Sequence, residues 1–319
     1  MKYLRLLLVF LLPCAQAFAQ ADFPNKVVTI VVATPAGGAT DKTIRLVARY
    51  LQQKWPNGIV IENRFGASGN IASAYVARAN PDGYTLLASA GPFAINPSLF
   101  KTLPFDTETA FTPINQISTF SSVLLVNEAF PAKNWNKFLV LTKNPAQALA
   151  FGSAGSGTAQ HLVMEMLRNQ YKLNLNHIPY KGGAPAMNDL LAGHVKVMMA
   201  GMGDASGQLG SGKIRALVTT GKIHSPLLPQ VPTFQELGVM DFDASGWSGL
   251  HAPAGTSAAI IAKINSDVTA MLADPAVKQG LAAMDVEPRP TSVPEFRTFM
   301  DTQFAKWKEA VELSGAKSD

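Results

Sequence analysis

The sequence predicts an α/β protein of two lobes, with mostly parallel sheets joined by two crossings. Three observations carry that prediction. Apolar strand runs alternate with amphipathic helical patterns, as in parallel sheets covered on both faces. Two glycine-rich turns, Thr34–Asp41 and Gly152–Thr158, each follow a strand run and open a helix. No Gly/Pro/Ser-rich linker separates two consecutive domains, so two lobes must be joined by strand-like crossings, for which Val123–Asn127 and Asp243–Leu250 are the candidates.

The chain opens on Lys2 and Arg5 around the apolar run Leu6–Leu12, with Ala17-Phe18-Ala19 as small residues for cleavage after Ala19. That is the layout of a secretory leader. The apolar run is shorter than the roughly 20 residues of a membrane span. Cys14 is the only cysteine, and it lies in the leader, so thiol catalysis, disulfides and Cys-based zinc sites are excluded downstream. The Pro13 before it argues against lipid attachment. A formal net charge of +5, scattered rather than clustered, makes nucleic acid a poor partner.

Strands are expected at Val27–Ala33, Ile59–Glu62, Thr85–Ser89, Val123–Asn127, Asn176–Ile178, Val195–Met199 and Ala216–Thr220. After the first glycine turn, Ile44, Val47, Ala48, Leu51 and Trp55 recur at helical spacing, with Thr40 placed as the cap. After the second, Ala159, Leu162, Val163, Met166 and Leu167 repeat the pattern behind Thr158. Toward the end, Ile261, Ile264, Val268 and Leu272 share one face, and Pro275 begins a short helix. Ser292-Val293-Pro294-Glu295 reads as a capping box for a last helix, whose Phe296, Met300, Phe304, Trp307 and Val311 form a core stripe.

A strand ending in a glycine turn at a helix start aims backbone N–H groups and the positive end of the helix dipole at one spot. Two such turns suggest one anion held between two lobes. Neither fits a nucleotide site. Gly37-Gly38-Ala39-Thr40-Asp41-Lys42 has the wrong order for a P-loop, Gly155-Ser156-Gly157-Thr158 has no lysine, and Gln160 occupies the third glycine of a dinucleotide fingerprint. Gly66-Ala67-Ser68-Gly69 only approaches a hydrolase elbow. His161 and Glu165 stand one helical turn apart; with no second histidine at ligand spacing, they read as a surface pair rather than a metal site. His177, His194, His224 and His251 are isolated, Asp241 and Asp243 read as loop residues, and no nucleophile–base–oxyanion set assembles. Carboxylate binding needs only directed donors, which such loops and their hydroxyls supply.

Several segments, in order, resemble the Bug family of extracytoplasmic solute receptors, the binding proteins of tripartite tricarboxylate transporters. They include Pro35-Ala36-Gly37-Gly38-Ala39-Thr40-Asp41, Glu62-Asn63-Arg64-Phe65-Gly66-Ala67-Ser68-Gly69-Asn70 and Pro81-Asp82-Gly83-Tyr84. Gly157-Thr158-Ala159-Gln160-His161, Pro179-Tyr180-Lys181-Gly182-Gly183-Ala184-Pro185-Ala186 and Ala252-Pro253-Ala254-Gly255-Thr256 continue the series. The resemblance implies a type II periplasmic binding-protein fold with a cleft between lobes, residues 20–125 and 246–319 forming the first and 126–245 the second. It implies a periplasmic, non-enzymatic monomer without cofactor or metal. Its partners would be a small aliphatic or aromatic mono- or dicarboxylate and integral membrane transporter subunits; a sensor module for a membrane signalling protein is the alternative.

Carried onto this chain, the resemblance makes Ala36, Gly37, Gly38, Thr40 and Asp41 the first lobe's candidates and Ser153, Ser156, Thr158 and His161 the second's. Asp41 is expected to fix its loop at the helix start rather than to meet an anion. Thr34 stands where the family often carries Phe, and Phe93 where a small polar residue or histidine is common. With Ser89, at the end of the third strand, and Asp204, after Met199, they complete the expected ligand-binding set.

Overall fold

The computed structural model describes residues 23–146, 148–239 and 244–318. The leader expected at 1–19 lies outside them, as do Asp241 and Asp243.

The chain starts with a β–α–β unit. Strand β1 (Val28–Val32) is apolar on both faces and pairs in parallel with β2 (Ile59–Asn63) and β3 (Thr85–Ala90). Between β1 and β2 runs α1 (Ala39–Leu51), with Asp41 in its first turn and Arg49 in its last, both favourable to the helix dipole. Its buried face, Ile44, Val47, Ala48 and Leu51, meets the sheet, and Trp55 completes the stripe just beyond the helix. Burying Ile44, Val47 and Leu51 contributes about 1.5–3 kcal/mol each by removing them from water. The helix cap is Gly38, not Thr40, which lies inside the first turn and is buried.

Helices α2 (Asn70–Ala77) and α3 (Pro92–Leu99) flank β3, and β4 (Phe111–Phe120) follows. The second sheet then begins with β5 (Ser122–Asn127) and α4 (Trp135–Thr142). Next come β6 (Leu149–Ser153), α5 (Ala159–Tyr171), β7 (Leu175–Pro179), α6 (Gly183–Ala192), β8 (Val197–Gly201), α7 (Met202–Ala205) and β9 (Ile214–Thr219). The chain returns through β10 (Gly246–Pro253), α8 (Ala258–Leu272), α9 (Pro275–Ala282), β11 (Val286–Pro288) and α10 (Val293–Ser314).

The first sheet runs β11-β4-β10-β3-β1-β2 and the second β7-β6-β8-β5-β9. Both are mixed rather than mostly parallel. In the first, β10 is antiparallel to β3 and β4, and in the second β5 is antiparallel to β8 and β9. The reason lies in the connections. A strand that enters a sheet directly from the other lobe has no crossover helix to reverse it, so it lies against its neighbours' direction. Val123–Asn127, expected as a strand and also offered as a crossing, is a fully paired strand of the second sheet, and the first crossing is the short link at Ser121. Of Asp243–Leu250, expected as the second crossing, Gly246–Leu250 is likewise strand, so that crossing falls between Thr219 and Gly246.

The two crossings touch. Ser122 N–H donates to Thr220 Oγ1 at 2.9 Å, Thr220 N–H to Ser122 O at 2.9 Å, and Ser245 Oγ to Thr220 O at 3.1 Å. The capping box at Ser292 and Glu295 forms as expected, and α10 buries Phe296, Met300, Trp307 and Val311. One apolar cluster includes these side chains together with Leu99 of α3 and Leu162 of α5, so the last helix joins elements of both sheets.

Candidate functional site

The glycine turns sit at the carboxyl ends of β1 and β6, the edge at which open α/β sheets hold ligands. In the first turn, Gly37 is in the left-handed region at φ +80, which glycine adopts freely. Its N–H donates to Asp41 Oδ2 at 2.8 Å, and the Gly38 N–H donates to Pro35 O at 3.2 Å. Asp41 Oδ1 also accepts from Asn63 Nδ2 at 2.8 Å, while Arg45 Nε lies 3.0 Å from both carboxylate oxygens. Burial works to raise the Asp41 pKa, but the hydrogen bonds from Arg45, Gly37 and Asn63 prevail and hold it below the usual aspartate value. The loop-fixing role expected of Asp41 is thus what its contacts perform. Both glycine amides expected to face an anion are already engaged within the loop.

The second turn is built the same way. Gly155 N–H donates to Ser153 Oγ at 3.1 Å, and Gly157 N–H to His161 Nδ1 at 3.0 Å. Ser153 is wholly buried; its hydroxyl donates to Gly155 O at 3.0 Å and lies 2.7 Å from His177 Nε2. Thr158 caps α5 as expected, accepting from His161 N–H at 3.4 Å while its hydroxyl donates to Gly155 O at 2.8 Å. Ser156 is exposed at the tip. Gly157, at φ +75, lies so close to Leu99 of α3 that a Cβ there would collide with the leucine side chain. The second loop is therefore seated directly on an element that leads into the first sheet.

His161 and Glu165 form the i,i+4 pair expected, with Nε2 3.7 Å from Oε1, but the pair is buried rather than on the surface. The His161 ring stacks on His177 with centroids 3.7 Å apart, and His177 stacks in turn on Phe151 at 4.9 Å. Burial, the neighbouring histidine and Arg168 lower His161 to about 4, and burial with Arg168 lowers His177 to about 4. Burial raises Glu165, against the pull of Arg168, whose Nη2 lies 2.6 Å from its carboxylate. Because Nδ1 of His161 accepts the Gly157 N–H, the ring is neutral with its proton on Nε2.

Beside the first turn lies a cavity of about 270 Å³. Thr34 and Phe93, both candidates from the sequence, line it, joined by Phe65, Ser68, Gly69 and Ser73. Thr34 Oγ1 is buried without a hydrogen-bond partner among the described residues. Phe93 is shared with the core, packing against Phe111 and His251 with centroids 5.2 and 4.8 Å away. Ser89 does not reach this cavity: it is wholly buried and bonded to Gly249 O at 3.3 Å and His251 Nδ1 at 3.1 Å. Ser153 is also turned inward. Ala36, Gly38, Thr40 and Asp41 frame the turn without lining the cavity.

Asp204 lies at the matching edge of the second sheet, on α7. Gly183 and Gly201 leave room for its carboxylate, and Gln160 Nε2 lies 3.6 Å from the position a Cβ on Gly201 would take. Desolvation raises the Asp204 pKa. Larger depressions, of about 520 and 620 Å³, lie among Lys143, Glu165, Arg168, Lys172, Asn176 and Leu313 and along Phe100–Glu108 with Pro97, and neither is lined by a glycine turn.

The description "Tripartite tricarboxylate transporter family receptor" matches residues 43–315. The chain belongs to this family. It is 32% identical over 297 residues to Protein BugT of Bordetella pertussis, covering 92% of this chain and 91% of that one. Among solved structures, the periplasmic binding protein BugD aligns with a TM-score of 0.76 at 33% identity, covering 93% of this chain and 100% of that one. A protein of R. palustris solved with adipate aligns at 0.80 and 30%, covering 93% and 99%. MatC from Rhodopseudomonas palustris, with bound malate, aligns at 0.75 and 30%, covering 91% and 100%.

Within this Bug receptor, the turn at residues 67–69 is the feature that residue patterns did not single out. Ala67 and Ser68 have φ of 45 and 55, a left-handed conformation that costs non-glycine residues roughly 1–2 kcal/mol each. Asn96 Nδ2 holds the turn by donating to Ser68 O at 2.9 Å and Asn70 Oδ1 at 2.7 Å. In the sequence, Gly66-Ala67-Ser68-Gly69 approaches a hydrolase elbow and falls within the family-like segment Glu62–Asn70, and neither reading gives the turn a role of its own. Strain held at a cavity wall is characteristic of functional sites.

Proposed function

We propose that this receptor captures a small mono- or dicarboxylate, aliphatic or aromatic, and delivers it to the integral membrane subunits of a tripartite tricarboxylate transporter. The carrying observation is the cavity at the carboxyl end of β1, where the unpartnered Thr34 hydroxyl and the strained Ser68 turn meet the apolar faces of Phe65 and Phe93. The malate and adipate held by its structural relatives support a carboxylate as the ligand class. First-lobe contacts would come from Thr34, Phe93 and the start of α1 around Ala36–Asp41. Second-lobe contacts would come from Ser156 and the first turn of α5 behind Thr158, with Asp204 setting tolerance at the far wall.

The two sheets act as the two lobes, the chain crossing at Ser121 and again between Thr219 and Gly246. Rotation about these adjacent crossings brings the second loop onto a ligand first held by the first. The leader expected at residues 1–19 supports a periplasmic location, where the receptor would work as a monomer and perform no chemistry on its cargo. A thermal-shift screen over mono- and dicarboxylates tests this reading. A ligand at about 100 times its dissociation constant adds roughly 2.7 kcal/mol of stability. No shift with any carboxylate, or recovery of a chemically altered ligand, would refute it.

A further inference from the structure

A separate cavity, of about 300 Å³, lies where the two crossings meet. Phe120 and Ser121 line it from the first crossing, Ile223 and Pro226 from the return segment, and Ala282 and Asp285 from the end of α9 and the turn before β11. This volume is at the small end of the range for small-molecule sites, and the walls are largely apolar. Ile223, on the return segment, is 63% exposed.

Asp285 breaks the apolar pattern. Its Oδ1 accepts from Ser225 Oγ at 2.8 Å, a bond between the return segment and the turn after α9. Its Oδ2 is buried and has no hydrogen-bond partner among the described residues. Lys278 lines the same cavity, yet no ion pair joins it to Asp285 among those residues. Burial raises the carboxyl's pKa, against the hydrogen bond from Ser225. A carboxylate oxygen without a donor beside an apolar wall is costly, and a bound donor would remove that cost. A cation does so best, through a charge-assisted hydrogen bond, while its hydrocarbon covers the walls. A carboxylate would instead meet Asp285 and Glu287 as like charges.

We propose that the crossing cavity is a second small-molecule site, one that takes a compact apolar amine. Its ammonium group donates to Asp285 Oδ2, and its hydrocarbon packs against Phe120, Ile223 and Pro226. An occupant there touches both segments that connect the sheets.

Calorimetric titration of the full chain, without any carboxylate, tests the site with cyclohexylamine and the isosteric neutral donor cyclohexanol. Saturable binding of the amine is expected, with the alcohol at least about tenfold weaker for want of a charge-assisted bond. Asp285→Asn keeps an acceptor for Ser225 and tolerates the left-handed backbone at φ 55; it should weaken the amine by at least about tenfold. Ala282→Trp, which fills the cavity and leaves Asp285 in place, should abolish binding. No saturable binding to the parent chain, equal affinity for amine and alcohol, or amine binding that survives the filled cavity would each overturn the proposal. Because no carboxylate is needed, none of these outcomes depends on the cleft beside Thr34.

Discussion

The stacked histidines beneath the second loop make a specific demand on pH. In the unfolded chain each takes up a proton near pH 6.5, whereas in the folded chain His161 and His177 are lowered to about 4. Above pH 6.5 both states are neutral and the pair exerts no penalty. Between pH 6.5 and about 4 the unfolded state binds more protons than the native state, so stability falls as pH falls. One pKa unit is worth about 1.4 kcal/mol, so the pair, taken as one coupled unit and discounted for partial solvent access, costs about 2–3 kcal/mol across that window.

His251, fully buried and lowered to about 3, acts with the same sign and extends to lower pH. Glu165 acts oppositely: its raised pKa is a penalty above that value, relieved as pH falls toward 4.5. Asp41, held low, contributes stability that is lost only as pH drops below 3.8 and through its folded pKa, outside the histidine window. The discriminating variant is His177→Gln, whose amide can still donate to Ser153 Oγ. Urea unfolding at pH 7 and pH 4.5 should show a loss for the parent chain that is smaller in the variant by about 1–2 kcal/mol. An identical loss in both chains would refute the idea that the stacked pair senses the proton.

Three further outcomes follow from single contacts. Ser68→Gly should raise stability by about 1 kcal/mol by relieving a left-handed serine, while weakening any carboxylate held in the adjacent cavity; a melting curve with and without ligand separates the two. Thr158→Ala should cost about 1 kcal/mol of stability through the lost cap, because its hydroxyl is spent on Gly155 O. A loss of ligand affinity far larger than that would instead make Thr158 a direct contact. Gly157→Ala should destabilise by roughly 1–3 kcal/mol through collision with Leu99, and a double-mutant cycle with Leu99→Ala should recover part of the loss; strict additivity would contradict the contact.

The β1–α1 and β6–α5 units were legible because an apolar run, a glycine turn and a helical stripe follow one another, with no alternative that buries the same residues. Strand β4 was not, and β10 was legible only as a strand-like crossing, not as a sheet member. Their hydropathy is broken by Asn115, Gln116, Ser118, Ser248 and His251, all buried. The structure shows why these polar groups are tolerated in the interior: Ser118 Oγ pairs with Ser248 Oγ at 2.7 Å across the two strands, and Asn115 donates to Thr269 of α8 at 2.9 Å. Cross-strand polar pairs depend on register, which a single sequence does not reveal. The crossing at Ser121 was invisible for a related reason, since a one-residue link between two well-formed strands carries no turn signature.

The same distinction governs the site. Thr34 and Phe93 were legible as pocket candidates only through the family resemblance, as positions where this chain departs from the family's pattern, and both line the cavity beside the first turn. Ser89 and Ser153 could not be sorted, because alternate strand residues face opposite sides and a hydroxyl can be satisfied on either. The glycine turns were read as donors of free N–H groups, yet Gly37, Gly38, Gly155 and Gly157 all direct theirs to Asp41, Pro35, Ser153 and His161. Their glycines therefore serve backbone geometry. A carboxylate bound at these loops must draw instead on the first-turn amides of α1 and α5, which lie beyond the glycines, and on the unpartnered Thr34 hydroxyl. Asp41 already brings a negative charge to the start of α1, with Arg45 as its countercharge. If the first loop holds the ligand carboxylate as proposed, that carboxylate is favoured only as far as Arg45 offsets Asp41, so the pairing of those two side chains would help set how strongly the loop attracts it.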